Sequence, residues 1–502
     1  MQQKSTTFIG FLSCLAVSLA GLAAGCGDKP SRKDSAPEEL LDRVTIKVAC
    51  PDALAQQIVA SFGRGWSTRE GAKIDVVPYG DSGEVDKADF ADIVVCKPPQ
   101  FPSWASKDKL LPVPKTFLQD QRHNWSDLLP LFRDKLLVWN RIAYGFALLG
   151  EAPLCFYRRD LLEDSAHQQA FQRMHHHALT PPTTWEQFQE ISEYFSSNWH
   201  PEQTIPALPP LLGNDDDLES EFYAVAASYA RHAFDQETQN TEIQAEVFSF
   251  HYDLRTGKPR ITGPGFVHAL KLLQDLQRFR PSTSPSNPAE AFQTGKSVLC
   301  LAEAFWTPRF QKSESVKDKF GICVVPGANF YFDYQSGAKK DSPKGNRVPY
   351  LGAKGYVAAV LKNTKHADGA FALLGELSSR ETSLQIVMDP QWGGGVTRGE
   401  HFRTPTSWYG FGLNADRTVG LMNAVRTTLT HPGVKNPVLR LRTPDEAEHS
   451  RILVKQLRAA LLENKDAAAC LSEAAREWEI LDKKRPPEEV RRDYLLSLGL
   501  QP

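Results

Sequence analysis

The chain has 502 residues, 41% of them hydrophobic and 24% charged, a length and balance that suit two globular domains with sizeable cores. Its 58 basic and 60 acidic residues leave a formal net charge of −2. That argues against nucleic acid as a partner, since neutralising its phosphates needs a basic surface.

The chain opens with a short polar stretch, Met1–Thr7, carrying the cation Lys4. An almost unbroken apolar run follows, Phe8–Leu22, and then Ala23, Ala24, Gly25 and Cys26. This is the pattern of a secretory signal, with a cysteine where the small-residue cleavage site belongs. The run falls short of the roughly 20 residues that a membrane-spanning helix needs. The stretch resembles the lipobox of bacterial lipoproteins, although Ala23 stands where an aliphatic residue is usual and Leu22 lies one place further out. The resemblance implies that residues 1–25 are removed and Cys26 is acylated; an ordinary cleaved signal is the other reading. Residues 26–43 are rich in Lys, Asp, Pro, Ser and Glu and read as a solvated tether. No later segment has 18 consecutive apolar residues, so the body is expected not to span a membrane.

Val44–Cys50 reads as a strand, and Asp52 as the N-cap of a helix in which Leu54, Ile58 and Phe62 recur at helical spacing. Gly63 and Gly65 are expected to end that helix. Lys73–Tyr79 and Ala91–Cys96 read as two more strands. This alternation calls for a parallel sheet with helices on its faces and a ligand outside the carboxyl ends of the strands, here Cys50-Pro51-Asp52 and Cys96-Lys97-Pro98. The body's cysteines are Cys50, Cys96, Cys155, Cys300, Cys323 and Cys470, with no CxxC spacing to suggest zinc or redox chemistry. An exported location permits disulfides. Cys50 and Cys96 each end a strand, so a bond between them and a pair of buried thiols are both open readings.

The next block carries more. Ile142–Leu148 is a strand containing Tyr144-Gly145, and Leu154–Tyr157 a second one leading to Asp160-Leu161. Thr180-Pro181-Pro182-Thr183-Thr184-Trp185 then starts a helix with Thr184 as N-cap. Further along come Asp253–Pro259 before an amphipathic helix, Ala291–Leu301 followed by Trp306, Phe320–Gly327, and Gly352–Gly355 followed by Val357–Val360. In this order the motifs resemble the extracellular solute-binding proteins of bacterial ABC importers, the carbohydrate-type family, over roughly Val44–Leu500. The resemblance implies an α/β fold of the two-lobe periplasmic-binding-protein type (type II), each lobe a mostly parallel sheet flanked by helices. It places lobe one at 44–150 plus 350–420 and lobe two at 151–349 plus 421–500. Thr443-Pro444-Asp445-Glu446 reads as a capping box ahead of an apolar stripe at Ile452, Leu453, Leu457, Ala460 and Leu461.

Catalytic signatures are missing: there is no GxSxG, HExxH or GxxxxGK, and no carboxylate pair at a strand end. His175-His176-His177 lies in a polar loop and does not read as a designed metal site. Asp215-Asp216-Asp217 reads as a solvated acidic face. No enzyme activity, cofactor or metal is expected. Sugars present C–H faces and hydroxyls, which suit aromatic plates and fixed polar groups. The candidate ligand-binding residues are therefore Trp306, Trp392 beside Gly393–Gly395, Tyr144, Asp52, Arg398 and Trp104. For Trp306 and Trp104 core packing is the competing reading, and for Asp52 simple capping. Ala304 and Phe305 stand where the family often has glycines, and Cys155-Phe156 where it has a tyrosine pair, departures that bear on sugar specificity. The expectation is a monomeric, lipid-anchored receptor on the extracytoplasmic face. It would bind a small solute by hinge closure and dock on separate importer subunits in the membrane. The rivals are an envelope hydrolase and a ligandless scaffold that reuses the fold.

Overall fold

The apolar run Thr45–Cys50 forms the first strand, β1, and the other strands follow in chain order: β2 Lys73–Pro78, β3 Ile93–Cys96, β4 Val138–Trp139, β5 Ile142–Ala143, β6 Gly145–Leu149, β7 Pro153–Arg158, β8 Leu299–Glu303, β9 Phe320–Val324, β10 Ala328–Phe332, β11 Lys339–Asn346, β12 Tyr350–Leu351, β13 Tyr356–Val360 and β14 Val438–Leu439. The computed structural model describes residues 44–79, 91–198, 206–233, 241–281, 287–430 and 437–501. The signal at 1–25, the acylation site Cys26 and the tether up to residue 43 lie outside the described residues. Among the described residues, no helix is long and apolar enough to cross a membrane.

The first sheet has the order β2-β1-β3-β13-β6. Strands β2, β1 and β3 are parallel, and β13 runs antiparallel to both β3 and β6. Four of the five strands thus share one direction. The helix after β1 is Ala53–Glu70, capped at its start by the Asp52 side chain and closed by Gly71 at φ 69°. It runs straight through Gly63 and Gly65, contrary to expectation. Gly63 lies against the sheet, where a Cβ would come within 2.7 Å of the Ile74 side chain. The apolar stripe simply continues to Trp66, which is buried.

The second sheet is three-stranded, β8-β7-β9, and antiparallel at both pairings rather than mostly parallel. The reason is topological. β7 arrives directly from β6 across the junction and runs away from it, while β8 and β9 run back toward it. One face of this sheet, with Phe156, Cys300 and Phe320, joins the core around the first sheet. The other face, with Cys155 and Leu299, joins a second core. That core also holds the apolar faces of helices Asp215–Ala230, Pro264–Gln277, Glu446–Leu462 and Ala467–Asp482.

Three local expectations change. Ile142–Leu148 is not one strand: β5 pairs with β4 as a hairpin, and β6 starts afresh at Gly145. The capping box expected of Thr443 and Glu446 does not form: the helix starts at Glu446, behind Asp445, which makes no side-chain cap and accepts from Arg485 Nη1 at 2.8 Å. The six cysteines are all free, and Cys50 and Cys96 cannot join. Because Ala49 pairs with Val94, Cys50 stands beside Val95, so Cys96 points to the opposite face of the sheet.

Candidate functional site: a cavity where the chain crosses between sheets

Two segments pass between the two sheets, 150–152 from β6 to β7 and 347–355 leading into β13, and a third, 437–442 leading into the C-terminal helices, lies beside them. They are stitched by backbone pairing. β12 runs parallel to β14, and Arg440 N–H donates to the Leu351 carbonyl at 2.9 Å. The Glu151 carboxylate accepts the N–H groups of Gly352, Ala353 (2.9 Å) and Lys354 (2.8 Å). Gly355, at φ 89°, brings its backbone so close that a Cβ would meet the Leu149 carbonyl at 2.5 Å. Across the junction, the Glu303 carboxylate accepts from Ala152 N–H at 3.0 Å.

A cavity of about 860 Å³, counting its open mouth, lies at this junction. Its floor is the edge where β7 begins and β8 and β9 end: Pro153, Leu301–Glu303 and Val324–Pro326. The helix Asp215–Ala230 forms one wall through Asp217, Ser220, Glu221 and Ala224. The crossing 347–354 supplies Arg347, Tyr350, Ala353 and Lys354, and Glu151 closes the base. The Ser220 and Tyr350 hydroxyls are buried with no hydrogen-bond partner among the described residues.

The charges in the wall are arranged in contact. Lys354 Nζ pairs with Asp217 at 2.5 Å. Burial works against its charge, but Asp217 and Glu303 outweigh burial and hold the ammonium protonated above its usual range. Burial, and then the neighbouring Glu303, push the Glu151 carboxyl up; burial also raises Glu303, against the pull of Lys354. Glu221 is paired with the buried Arg280. The acidic run Asp215–Asp217 is solvated at Asp215 but ion-paired throughout, and Asp217 turns inward. Asp216 reaches Lys97 at 3.5 Å and Arg440 at 3.2 Å, and Asp215 pairs with Arg458.

None of the six candidate ligand-binding residues lines this cavity. Trp392 is 2% exposed, donates its indole N–H to the Ile386 carbonyl at 2.9 Å and meets Phe62 edge-on, so it is a core side chain. Trp104 is fully buried against Tyr79. Arg398 is also buried, its guanidinium donating to the carbonyls of Asn124 and Ser378; burial pushes it down to about 10. Tyr144 lies at the wrong edge of the first sheet: it precedes Gly145, which pairs with Ala359 where β3 begins, not where β3 ends. Asp52 does sit at the carboxyl edge, but its carboxylate is taken by Ala55 N–H at 2.9 Å and the Tyr356 hydroxyl at 2.8 Å. Trp306 is half-buried three residues beyond Glu303, stacked on Phe310 with the Arg309 guanidinium 4.7 Å from its ring.

The residues that sequence reasoning missed are Glu151, Glu303, Lys354, Ser220 and Tyr350. One signal was available. Glu303 ends an apolar strand, and Glu151 and Lys354 sit in the glycine-flanked links Gly150-Glu151-Ala152-Pro153 and Gly352-Ala353-Lys354-Gly355. Glu151 and Glu303 also form the carboxylate pair that the sequence reading did not find. In the triple histidine, His175 stacks on Phe171 and His177 contacts Glu190 at 3.0 Å.

No curated protein matches the chain. Among solved structures, maltose-bound MalE3 of T. maritima aligns at 17% identity and a TM-score of 0.62, over 87% of this chain and 100% of that one. The sugar-binding protein MalE from Xanthomonas citri aligns at 16% and 0.64, over 88% and 98%. A solute-binding protein of an ABC transporter from Thermotoga lettingae, bound with alpha-D-tagatose, aligns at 14% and 0.60, over 90% and 100%. At these identities the likeness is one of fold, the two-lobe periplasmic-binding-protein architecture. The family model of the bacterial extracellular solute-binding proteins matches residues 67–382, and the chain belongs to that family.

Proposed function

We propose that this protein is the solute-receiving subunit of an ABC importer, tethered to the cell envelope through a lipid on Cys26. Its ligand is a small hydroxylated solute, a sugar or polyol, held in the cavity at the junction. Lobe one comprises 44–150 plus 350–420, lobe two 151–349 plus 421–500, and the crossings act as the hinge. The observation that carries this reading is the cavity's position. It is lined by two crossings and by the ends of β8 and β9, so a ligand there touches parts that move relative to one another when the hinge turns. Such a ligand favours the closed state by its differential affinity, which sets how far the equilibrium moves. The unpartnered Ser220 and Tyr350 hydroxyls suit a hydroxylated ligand, since a buried polar group gains most from the partner it lacks.

A thermal-shift screen of sugars and polyols tests the ligand. A true ligand at about 100 times its Kd stabilises the protein by roughly 2.7 kcal/mol. A panel without any stabilising compound would favour the scaffold reading. Fractionation tests the anchor: wild type is expected with membranes, and Cys26→Ser in the soluble fraction.

A second reading, the envelope hydrolase, has one observation in its favour, the buried Glu151–Glu303 pair on the cavity wall. Both Glu151 oxygens and one of Glu303 are already held by backbone N–H groups, which suits a hinge clasp better than proton transfer. Turnover of a glycoside panel would revive it.

A further inference from the structure

Strand register sorts the cysteines of the second sheet by face. In the β7–β9 pairing Cys155 stands directly opposite Cys323, and in the β7–β8 pairing Phe156 stands opposite Cys300. Side chains alternate along a strand, so Cys155 and Cys323 share one face and Cys300 occupies the other. Packing agrees: Cys155 belongs to the second core with Cys323 against it, whereas Cys300 belongs to the first. Directly opposed residues of antiparallel strands have Cα atoms about 4.5 or 5.5 Å apart, inside the range of about 4.4–6.8 Å that a disulfide spans. Neither sulfur has a strong competing partner: Cys155 Sγ lies 3.9 Å from the Phe156 carbonyl and Cys323 Sγ 3.9 Å from the Pro182 carbonyl.

We infer that Cys155 and Cys323 join as a disulfide across β7 and β9 when the protein meets a disulfide oxidant, an inference that takes its physiological setting from the exported location proposed above. Access is one-sided. Cys155 is fully buried and Cys323 half-buried, so exchange starts at Cys323. Its thiolate attacks one sulfur of the oxidant and expels the other as a thiol. The Cys155 thiolate then attacks Cys323 Sγ in the mixed disulfide and expels the second thiol. Two protein thiols lose two protons and two electrons, and the oxidant's S–S bond becomes two S–H groups. The bond would pin together the strand that enters from the junction and the strand whose end, Val324, lines the cavity.

Full-length protein, purified under reductant and desalted, is incubated with oxidised glutathione, then alkylated in denaturant and peptide-mapped. The expected result is loss of alkylation at Cys155 and Cys323, a linked peptide containing both, and no such loss at Cys300. The oxidised protein should melt higher than the reduced one, and Cys155→Ala/Cys323→Ala should melt alike with and without dithiothreitol. Alkylation of both cysteines, a lasting glutathione adduct on Cys323 or a link to Cys300 overturns the inference. The same mapping on protein from cell fractions keeps the two readings apart. Envelope-bound protein with both thiols free sinks the disulfide alone. Cytoplasmic protein that closes the bond in vitro sinks the export reading alone.

Discussion

His401 is buried with both ring nitrogens engaged: Nδ1 accepts from Thr397 N–H at 3.3 Å, so Nε2 carries the proton toward Ser383 Oγ at 3.2 Å. Burial, with Arg398 nearby, pushes its pKa down to about 3, and burial does the same to His251. A histidine lowered in the folded state stabilises the fold fully above its ordinary value of about 6.5, and that stability is lost as pH falls toward the folded value. Stability should therefore fall from pH 6.5 to pH 3, with the unfolded chain binding the extra protons. In His401→Asn the loss between pH 6.5 and 4.5 should shrink by roughly 2–3 kcal/mol in denaturant titrations; an unchanged slope would deny His401 its buried neutral state. Trp392 gives a second test at this scale. Trp392→Ala should cost about 3–5 kcal/mol of stability, measured by chemical unfolding, without changing solute affinity in the folded protein. The burial of Trp104 and of Trp392 was hidden from the sequence for one reason. A large aromatic ring after a strand or beside glycines serves a core and a cleft equally well, and the sequence does not say on which side of the backbone the ring falls.

Elements were more legible than the contacts between them. The apolar runs at β1, β3, β6, β7, β8, β9 and β13 and the Thr184 cap were readable, because strand patterning and capping are local. The Cys50–Cys96 expectation failed on parity, since strand ends alone do not give register. The acidic turn Asp215–Asp217 looked solvated because its partners lie far away in sequence, at Lys97, Lys354, Arg440 and Arg458. Arg440 is the strongest case. It is 7% exposed and lies 2.9 Å from Glu219, 3.2 Å from Asp216 and 3.8 Å from Glu446, tying the 437–442 segment to two helices. Burial raises both Glu219 and Glu446, the latter to about 7, and Arg440 pulls them back. Removing one partner of a buried charge cluster leaves the others uncompensated. Arg440→Met should cost about 3–5 kcal/mol, and adding Glu219→Gln and Glu446→Gln should restore part of it. Full stability in Arg440→Met alone would mean the cluster is solvated.

For the whole molecule, the proposed hinge is the junction where the segments at Glu151 and 347–355 join the two sheets. The two-lobe fold was legible because the motifs occur in the family's order along most of the chain. The cavity was not, because it is assembled from eight separate stretches of sequence, none of which looks like a site alone. The most direct test fills the cavity. Ala224, on the wall helix, is changed to Phe, and a solute that stabilises the wild type is titrated into both proteins by calorimetry. The account predicts binding to the wild type and at least a tenfold loss in Ala224→Phe, with the melting temperature of the unliganded protein nearly unchanged. Equal affinity in the two proteins would place the solute elsewhere and contradict the account.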